Sequence, residues 1–106
     1  MVNDNCIMAV VVLYNPNDSV INNIATYQQH IKKTIIVDNS ERVNITIINE
    51  LGKMPNIEII INNKNIGIAA ALNIGIEKAI TNGANWILTM DQDSFFEDDM
   101  MGKYIS

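Results

Sequence analysis

The sequence predicts an α/β fold in which a mostly parallel sheet carries helices on both faces. Four short apolar runs rich in β-branched residues alternate with segments of helical periodicity, and turn-forming residues separate them. Hydrophobic residues make up 48% of the 106 positions and charged residues 18%, which is typical of one folded domain. Strands that alternate with helices pair in parallel through right-handed crossovers.

The first strand is predicted over residues 7–13, an apolar run that continues without polar interruption. Turn-forming residues at positions 15–18 end it. A helix follows, with Asp18 or Ser19 as its N-cap. Its apolar positions recur at helical spacing and predict a buried face of Val20, Ile24, Tyr27 and Ile31.

The second strand is predicted over residues 34–38, and residues 39–56 form a loop with a short helix near 43–51. A third strand covers residues 57–61. The next helix ends at Gly83, a natural C′ residue. Its predicted buried face consists of Ile68, Leu72, Ile76, Ala79 and Ile80.

The fourth strand covers residues 86–90, and a last helix begins near Glu97 or Asp98. The element order is therefore that of a Rossmann-like sheet. Ligands of such sheets bind beyond the carboxyl ends of the strands. Tyr14, Asp38 and Asp91 each stand at a strand's carboxyl end, so we expect them to converge on one edge.

Charge and cysteine content restrict the function. The formal net charge is −5 and no basic run occurs, which argues against a nucleic-acid partner. The single cysteine, Cys6, fits a buried strand position in a reducing, cytoplasmic protein. The apolar run around it is far shorter than the roughly 20 residues of a transmembrane segment, and it has no basic leader. His30, the lone histidine, is predicted to be a surface residue at a helix end.

An acidic motif, Asp91-Gln92-Asp93, follows the fourth strand. In an extended segment the side chains of Asp91 and Asp93 point the same way. Two such carboxylates suit a hard divalent cation, Mn²⁺ or Mg²⁺, shared with substrate phosphates. The alternative is that the acidic residues solvate a loop and cap the next helix.

Three further positions each allow two interpretations. Asp38 can accept a hydrogen bond from a pyrimidine imide, or it can cap the segment after it. Tyr14 can stack on a base, or it can be an ordinary aromatic at a strand end. The small residues after Asn65 and Gly67 can bring a helix start close to a ligand, or they can simply favour a helix.

In order and spacing, four segments resemble family 2 glycosyltransferases, which have the GT-A fold. They are residues 10–16, 36–40, 65–75 and 86–94, and the resemblance runs from Ile7 to the end of the chain. The pattern Asn-x-Gly-x-Ala-Ala-Ala-x-Asn at 65–73 and the sequence Asp-Gln-Asp-Ser at 91–94 look most like the rhamnosyltransferase branch.

The resemblance implies an enzyme that transfers a sugar, such as rhamnose, from a dTDP- or UDP-sugar to a glycan or lipid-linked acceptor. It implies that Tyr14 and Asp38 hold the nucleobase and that Asn65 and Gly67 line the nucleotide pocket. The full-length protein would be cytoplasmic, either free or peripheral at the inner face of the membrane.

By the same resemblance, Asp91 and Gln92 lie near the ribose and diphosphate. Asp91 and Asp93 bind the divalent metal, Mn²⁺ or Mg²⁺, which neutralises charge on the leaving group. Leu13 departs from the family pattern, since many relatives have Thr there.

The resemblance implies that residues 1–106 correspond to the nucleotide-sugar-binding part of such an enzyme, and we expect the acceptor-binding part to be missing from them. In this family the general base lies after the acidic motif, so no catalytic residue is assigned within this chain. We expect nucleotide binding with little or no transfer by the chain alone.

Two other classes share parts of this pattern. A haloacid-dehalogenase-like, Mg²⁺-dependent phosphatase also has an Asp-x-Asp motif after a hydrophobic strand, but on its first strand. A non-catalytic, receiver-type regulatory module would carry an acidic pair after the first strand. This chain has Tyr14, Asn15 and Pro16 there.

Overall fold

The computed structural model describes residues 6–96, and it contains four strands and three helices in alternation. The predicted helix near Glu97 or Asp98 lies outside the described residues. The elements are β1 (Ile7–Leu13), α1 (Ser19–Gln28), β2 (Lys33–Asp38), α2 (Ile45–Gly52), β3 (Ile57–Ile61), α3 (Ile68–Thr81) and β4 (Trp86–Asp91).

All four strands are parallel and lie in the order β3-β2-β1-β4. The central strand β1 pairs with β2 on one side and with β4 on the other. Leu13 is in register with Asp38, and Val12 is in register with Asp91. The carboxyl ends of β1, β2 and β4 are therefore level, and the predicted Rossmann-like α/β fold is confirmed.

Helices cover both faces of the sheet, and alternation along β1 divides the core between them. The odd-numbered residues Ala9, Val11 and Leu13 share a cluster with buried residues of α1 and α2. The even-numbered residues Met8, Val10 and Val12 share a cluster with α3. Because β1 is covered on both faces, its sequence is apolar without alternation.

The predicted buried face of α3 is partly wrong. Ile68 and Ile80 are each 61% exposed. The fully buried side of the helix consists of small residues at four-residue spacing, Ala71, Gly75 and Ala79. Small residues let the helix backbone approach the sheet closely, so the larger side chains lie at the flanks of the contact.

Two smaller expectations also change. Asp18 is the N-cap residue of α1, one of the two expected, but its side chain makes no capping hydrogen bond. Instead, the Asn17 side-chain oxygen accepts the N–H of Ser19 at 2.9 Å. Cys6 is half-buried just before β1 rather than fully buried within it. No helix among residues 6–96 is long and apolar enough to cross a membrane.

Replacing Gly75 with Ala tests the close approach of α3 to the sheet. Within a helix, Gly→Ala ordinarily stabilises by about 0.5–1 kcal/mol. Here a Cβ atom would overlap Cγ1 of the buried Val10 and would meet Cγ2 of Val37 at 3.2 Å. We expect Gly75→Ala to lower the free energy of unfolding by about 1–3 kcal/mol, measured by urea denaturation.

Gly52→Ala, at the end of α2, is the control because nothing lies within 4 Å of a Cβ atom there. A Gly75→Ala protein as stable as the Gly52→Ala protein would contradict the tight packing of α3.

Candidate functional site

Tyr14, Asp38 and Asp91 meet at one edge of the sheet, as expected from their positions at strand ends. Tyr14 directly follows β1, while Asp38 and Asp91 are the last residues of β2 and β4. Register partners in neighbouring strands lie on the same face. Asp38 therefore shares the face of Leu13, toward α1 and α2, and Asp91 shares the face of Val12, toward α3. The two carboxylates lie at one edge but on opposite faces.

A cavity of about 330 Å³ opens at this edge, on the side of α3. Four of the residues predicted to contact a nucleotide line it, whereas Asp38 and Asp91 do not. The lining residues are Val12, Tyr14, Asn39, Asn65, Gly67, Ile68 and Gln92. All of them are uncharged, so binding of an anionic group there needs backbone N–H groups, a cation or both.

Asn39 organises the wall of this cavity. It is 3% exposed, and both atoms of its amide are fully used. Its Oδ1 accepts from Asn62 Nδ2 at 3.1 Å and from the N–H of Ile66 at 3.2 Å. Its Nδ2 donates to Asn65 Oδ1 at 3.1 Å and to the carbonyl of Gly67 at 3.4 Å. One buried side chain thus ties the end of β2 to the loop between β3 and α3.

Gly67 is the N-cap residue of α3, with φ of 89°. This backbone conformation favours glycine, since a Cβ atom would be strained there. Asn65 Oδ1 accepts the N–H of Gly67 at 2.9 Å, in addition to the bond from Asn39. The first N–H groups of α3 follow beside the cavity, and a helix start has no intrahelical partners for them. Asn65 thus lies just before the start of α3 and is joined to it through the N–H of Gly67, while Gly67 rather than Asn65 is the N-cap residue.

The side chain of Gln92 pairs with the backbone of Tyr14. Its Oε1 accepts the Tyr14 N–H at 2.9 Å, and its Nε2 donates to the Tyr14 carbonyl at 3.1 Å. The carbonyl of Gln92 in turn accepts from Nδ2 of Asn23 in α1 at 3.1 Å. Gln92 lines the cavity, and its amide joins the ends of β1 and β4.

The acidic motif forms a turn. The N–H of Ser94 donates to the carbonyl of Asp91 at 3.0 Å, and the strand ends at Asp91. The expectation that extended backbone aligns Asp91 with Asp93 is therefore wrong, because the chain reverses between them. Both residues are exposed. Within residues 6–96, no group of three or more His, Cys, Asp or Glu side chains is arranged to hold a metal ion.

Asp38 is 1% exposed, and its two carboxylate oxygens differ in their hydrogen bonds. Oδ1 accepts from the Ser40 hydroxyl at 2.8 Å and from the Ser40 N–H at 3.3 Å, so Asp38 caps its own loop. Oδ2 is buried and has no hydrogen-bond partner in the described part of the chain. A buried carboxylate oxygen without a partner is costly unless a ligand supplies the donor.

Tyr14 is exposed at the mouth of the cavity and donates from its hydroxyl to Glu41 Oε1 at 3.0 Å. This hydrogen bond and the negative charge of Glu41 raise the pKa of Tyr14 above its usual value, while a smaller effect of Asn15 opposes them. The hydroxyl therefore remains a donor at neutral and moderately alkaline pH.

Comparison with known proteins agrees with the parallel α/β fold. A family model described as glycosyl transferase family 2 matches residues 9–106. The chain belongs to glycosyl transferase family 2. It is also 35% identical over 98 residues to the dTDP-rhamnosyl transferase RfbF of Shigella flexneri. The match covers 92% of this chain and 32% of that relative, so the chain spans about a third of the relative's length.

Membership in this transferase family leaves the phosphatase and receiver-type alternatives without support. Reasoning from the sequence assigned no individual role to three residues whose contacts organise this edge: Asn39, Ser40 and Glu41. The feature of the sequence that could have identified them is their position directly after Asp38, at the carboxyl end of a strand, where ligands bind in such sheets.

Asn39→Asp tests the clamp at the cavity wall. Aspartate has nearly the same shape, but its carboxylate cannot donate to Asn65 Oδ1 and to the carbonyl of Gly67. We expect the free energy of unfolding to fall by about 2 kcal/mol or more, because a buried carboxylate then faces two other acceptor oxygens. Urea denaturation at pH 7 measures the change.

Asn49→Asp is the matched control, since Asn49 is exposed on α2. Equal stability of the Asn39→Asp and Asn49→Asp proteins would show that the two hydrogen bonds donated by Asn39 Nδ2 carry no net stability.

Proposed function

We propose that this chain is the donor-binding part of a glycosyltransferase that takes its sugar from a nucleoside-diphosphate sugar. The observation that carries the proposal is the shared cavity. Tyr14, Asn65, Gly67 and Gln92 were selected from sequence as nucleotide contacts, and all four line one space at the ligand-binding edge of the sheet. Membership in glycosyl transferase family 2 supports the same reading.

The nucleobase would lie at the ends of β1 and β2. The exposed ring of Tyr14 offers a flat apolar surface for stacking. The unpartnered Oδ2 of Asp38 would accept the imide N–H of thymine or uracil. Because this oxygen is covered in the unliganded chain, the contact requires a small local opening of the loop residues around it.

The diphosphate would lie toward α3 and β4. The N–H groups at the start of α3, after Gly67, suit an anion. Asp91 lies on the face of the sheet that α3 covers, and Asp93 follows it in the acidic turn. Two exposed carboxylates fit Mg²⁺ or Mn²⁺, which binds through one or two carboxylates together with substrate phosphates. When bound, the cation would neutralise the charge of the departing nucleoside diphosphate.

The identity of the donor is proposed from the relative. RfbF is by its name a dTDP-rhamnosyl transferase. We therefore propose dTDP-rhamnose as donor, with a UDP-sugar second, and a glycan or lipid-linked acceptor in the cytoplasm. The general base and the acceptor site are not assigned to these 106 residues, so the chain alone is expected to bind donor with little or no transfer.

Calorimetric titration with dTDP, UDP and GDP in the presence of Mn²⁺ tests the proposal. We expect dTDP to bind most tightly and EDTA to weaken its binding. Asp38→Asn would replace an acceptor with a donor in front of the imide N–H and weaken dTDP binding about tenfold or more. Asp93→Asn would reduce the dependence on Mn²⁺.

Glu77→Gln is the matched control, because it removes one negative charge from an exposed position on α3, beyond its first two turns. The proposal fails if the folded chain binds none of the three nucleotides. The specific role of Asp38 fails if Asp38→Asn and Glu77→Gln bind dTDP equally well.

A further inference from the structure

The backbone that carries Tyr14 is fixed from two sides. Gln92, after β4, pairs with both backbone polar groups of Tyr14. The next N–H, that of Asn15, donates to Oγ of Ser40 after β2 at 2.8 Å, and Asn15 has φ of 45°. These bonds attach the end of β1 to both neighbouring strands. The position of the Tyr14 main chain is thus set by the fold.

The ring of Tyr14 is less constrained than its main chain. It is 43% exposed, so core packing fixes only part of its orientation. Its direction depends on side-chain torsions with several allowed values. The hydroxyl bond to Glu41 joins the far end of this ring to the loop after β2, 27 positions later in the sequence. A hydrogen bond to a carboxylate is stronger than one between neutral groups.

We propose that Glu41 is a positioning residue that holds the Tyr14 ring in the orientation against which the nucleobase packs. The inference rests on the proposed function, because it concerns the same donor site. Glu41 does not line the cavity, so it acts through Tyr14 rather than by touching the ligand. A ring that is already oriented loses less freedom when a base stacks on it, which increases affinity.

The test compares dTDP affinities, with Mn²⁺ present, among the unaltered chain, Tyr14→Phe, Glu41→Ala and the double variant. Phenylalanine keeps the stacking ring and removes the hydroxyl. Each single change is expected to weaken dTDP binding about three- to tenfold. The double variant is expected to lose no more than either single one, because both changes remove the same bond.

Two further measurements distinguish positioning of the Tyr14 ring from a general effect of the substitutions on folding or charge. Glu41→Gln keeps an acceptor oxygen and is expected to bind dTDP within about twofold of the unaltered chain. Pyrophosphate with Mn²⁺ lacks a base, so its affinity is expected to be the same for all variants. Glu50→Ala, an exposed acid on α2 paired with Lys53, is the control for loss of a surface carboxylate.

The inference is overturned if Glu41→Ala binds dTDP as tightly as Glu50→Ala does. It is also overturned if the double variant loses as much dTDP binding free energy as the two single variants together. Either result leaves the proposed function intact, since the unaltered chain still binds nucleotide. Absence of nucleotide binding by the unaltered folded chain overturns the proposed function and the inference with it.

Discussion

The parallel pairing of β1 with both β2 and β4 is the constraint on which the site depends. One register aligns Leu13 with Asp38, and the other aligns Val12 with Asp91. A shift of one residue in either register would move a carboxylate to the opposite face of the sheet. The buried, uninterrupted apolar sequence of β1 and the helices on both of its faces hold these registers. The chemistry at the edge is thus a consequence of how the core packs.

Beyond the strand ends, side-chain amides form the hydrogen bonds to backbone groups that neighbouring strands form within the sheet. Every backbone N–H and C=O that leaves the sheet needs another partner. Gln92 supplies both partners for Tyr14, and Asn39 supplies them for Ile66 and Gly67. An amide can do this because it donates and accepts from one planar group. This explains why so many polar residues near the cavity are asparagine or glutamine, and why the cavity is uncharged.

Much of the fold could be predicted from the sequence, because periodicity and turn residues determine element type. All seven elements were expected, and the first and third strands have the expected ends. The buried side of α3 was mistaken because hydrophobicity, the signal used, does not report how closely a helix approaches a sheet. Gly75 is buried there through its lack of a side chain, which an apolar pattern does not register.

The candidate site was predictable as a location and less so in its contacts. Strand ends identified Tyr14, Asp38 and Asp91, but the face that each occupies depends on register, which needs the paired strand. The turn after Asp91 is closed by a backbone hydrogen bond and held by contacts of Gln92 with Tyr14 and Asn23, which the sequence pattern does not report. The roles of Asn39 and Glu41 arise from partners 23 to 28 positions away, and no local pattern encodes such contacts.

The central claim is that a nucleotide binds across the carboxyl ends of β1, β2 and β4. The most direct measurement is a titration of the ¹⁵N-labelled chain with dTDP and Mg²⁺, followed by amide chemical shifts in NMR spectra. We expect the largest shifts at Tyr14, Asn39, Gly67 and Gln92, and small shifts at the amino ends of the strands, such as Lys33. Shifts concentrated at the amino ends, or spread evenly over the chain, would contradict the claim.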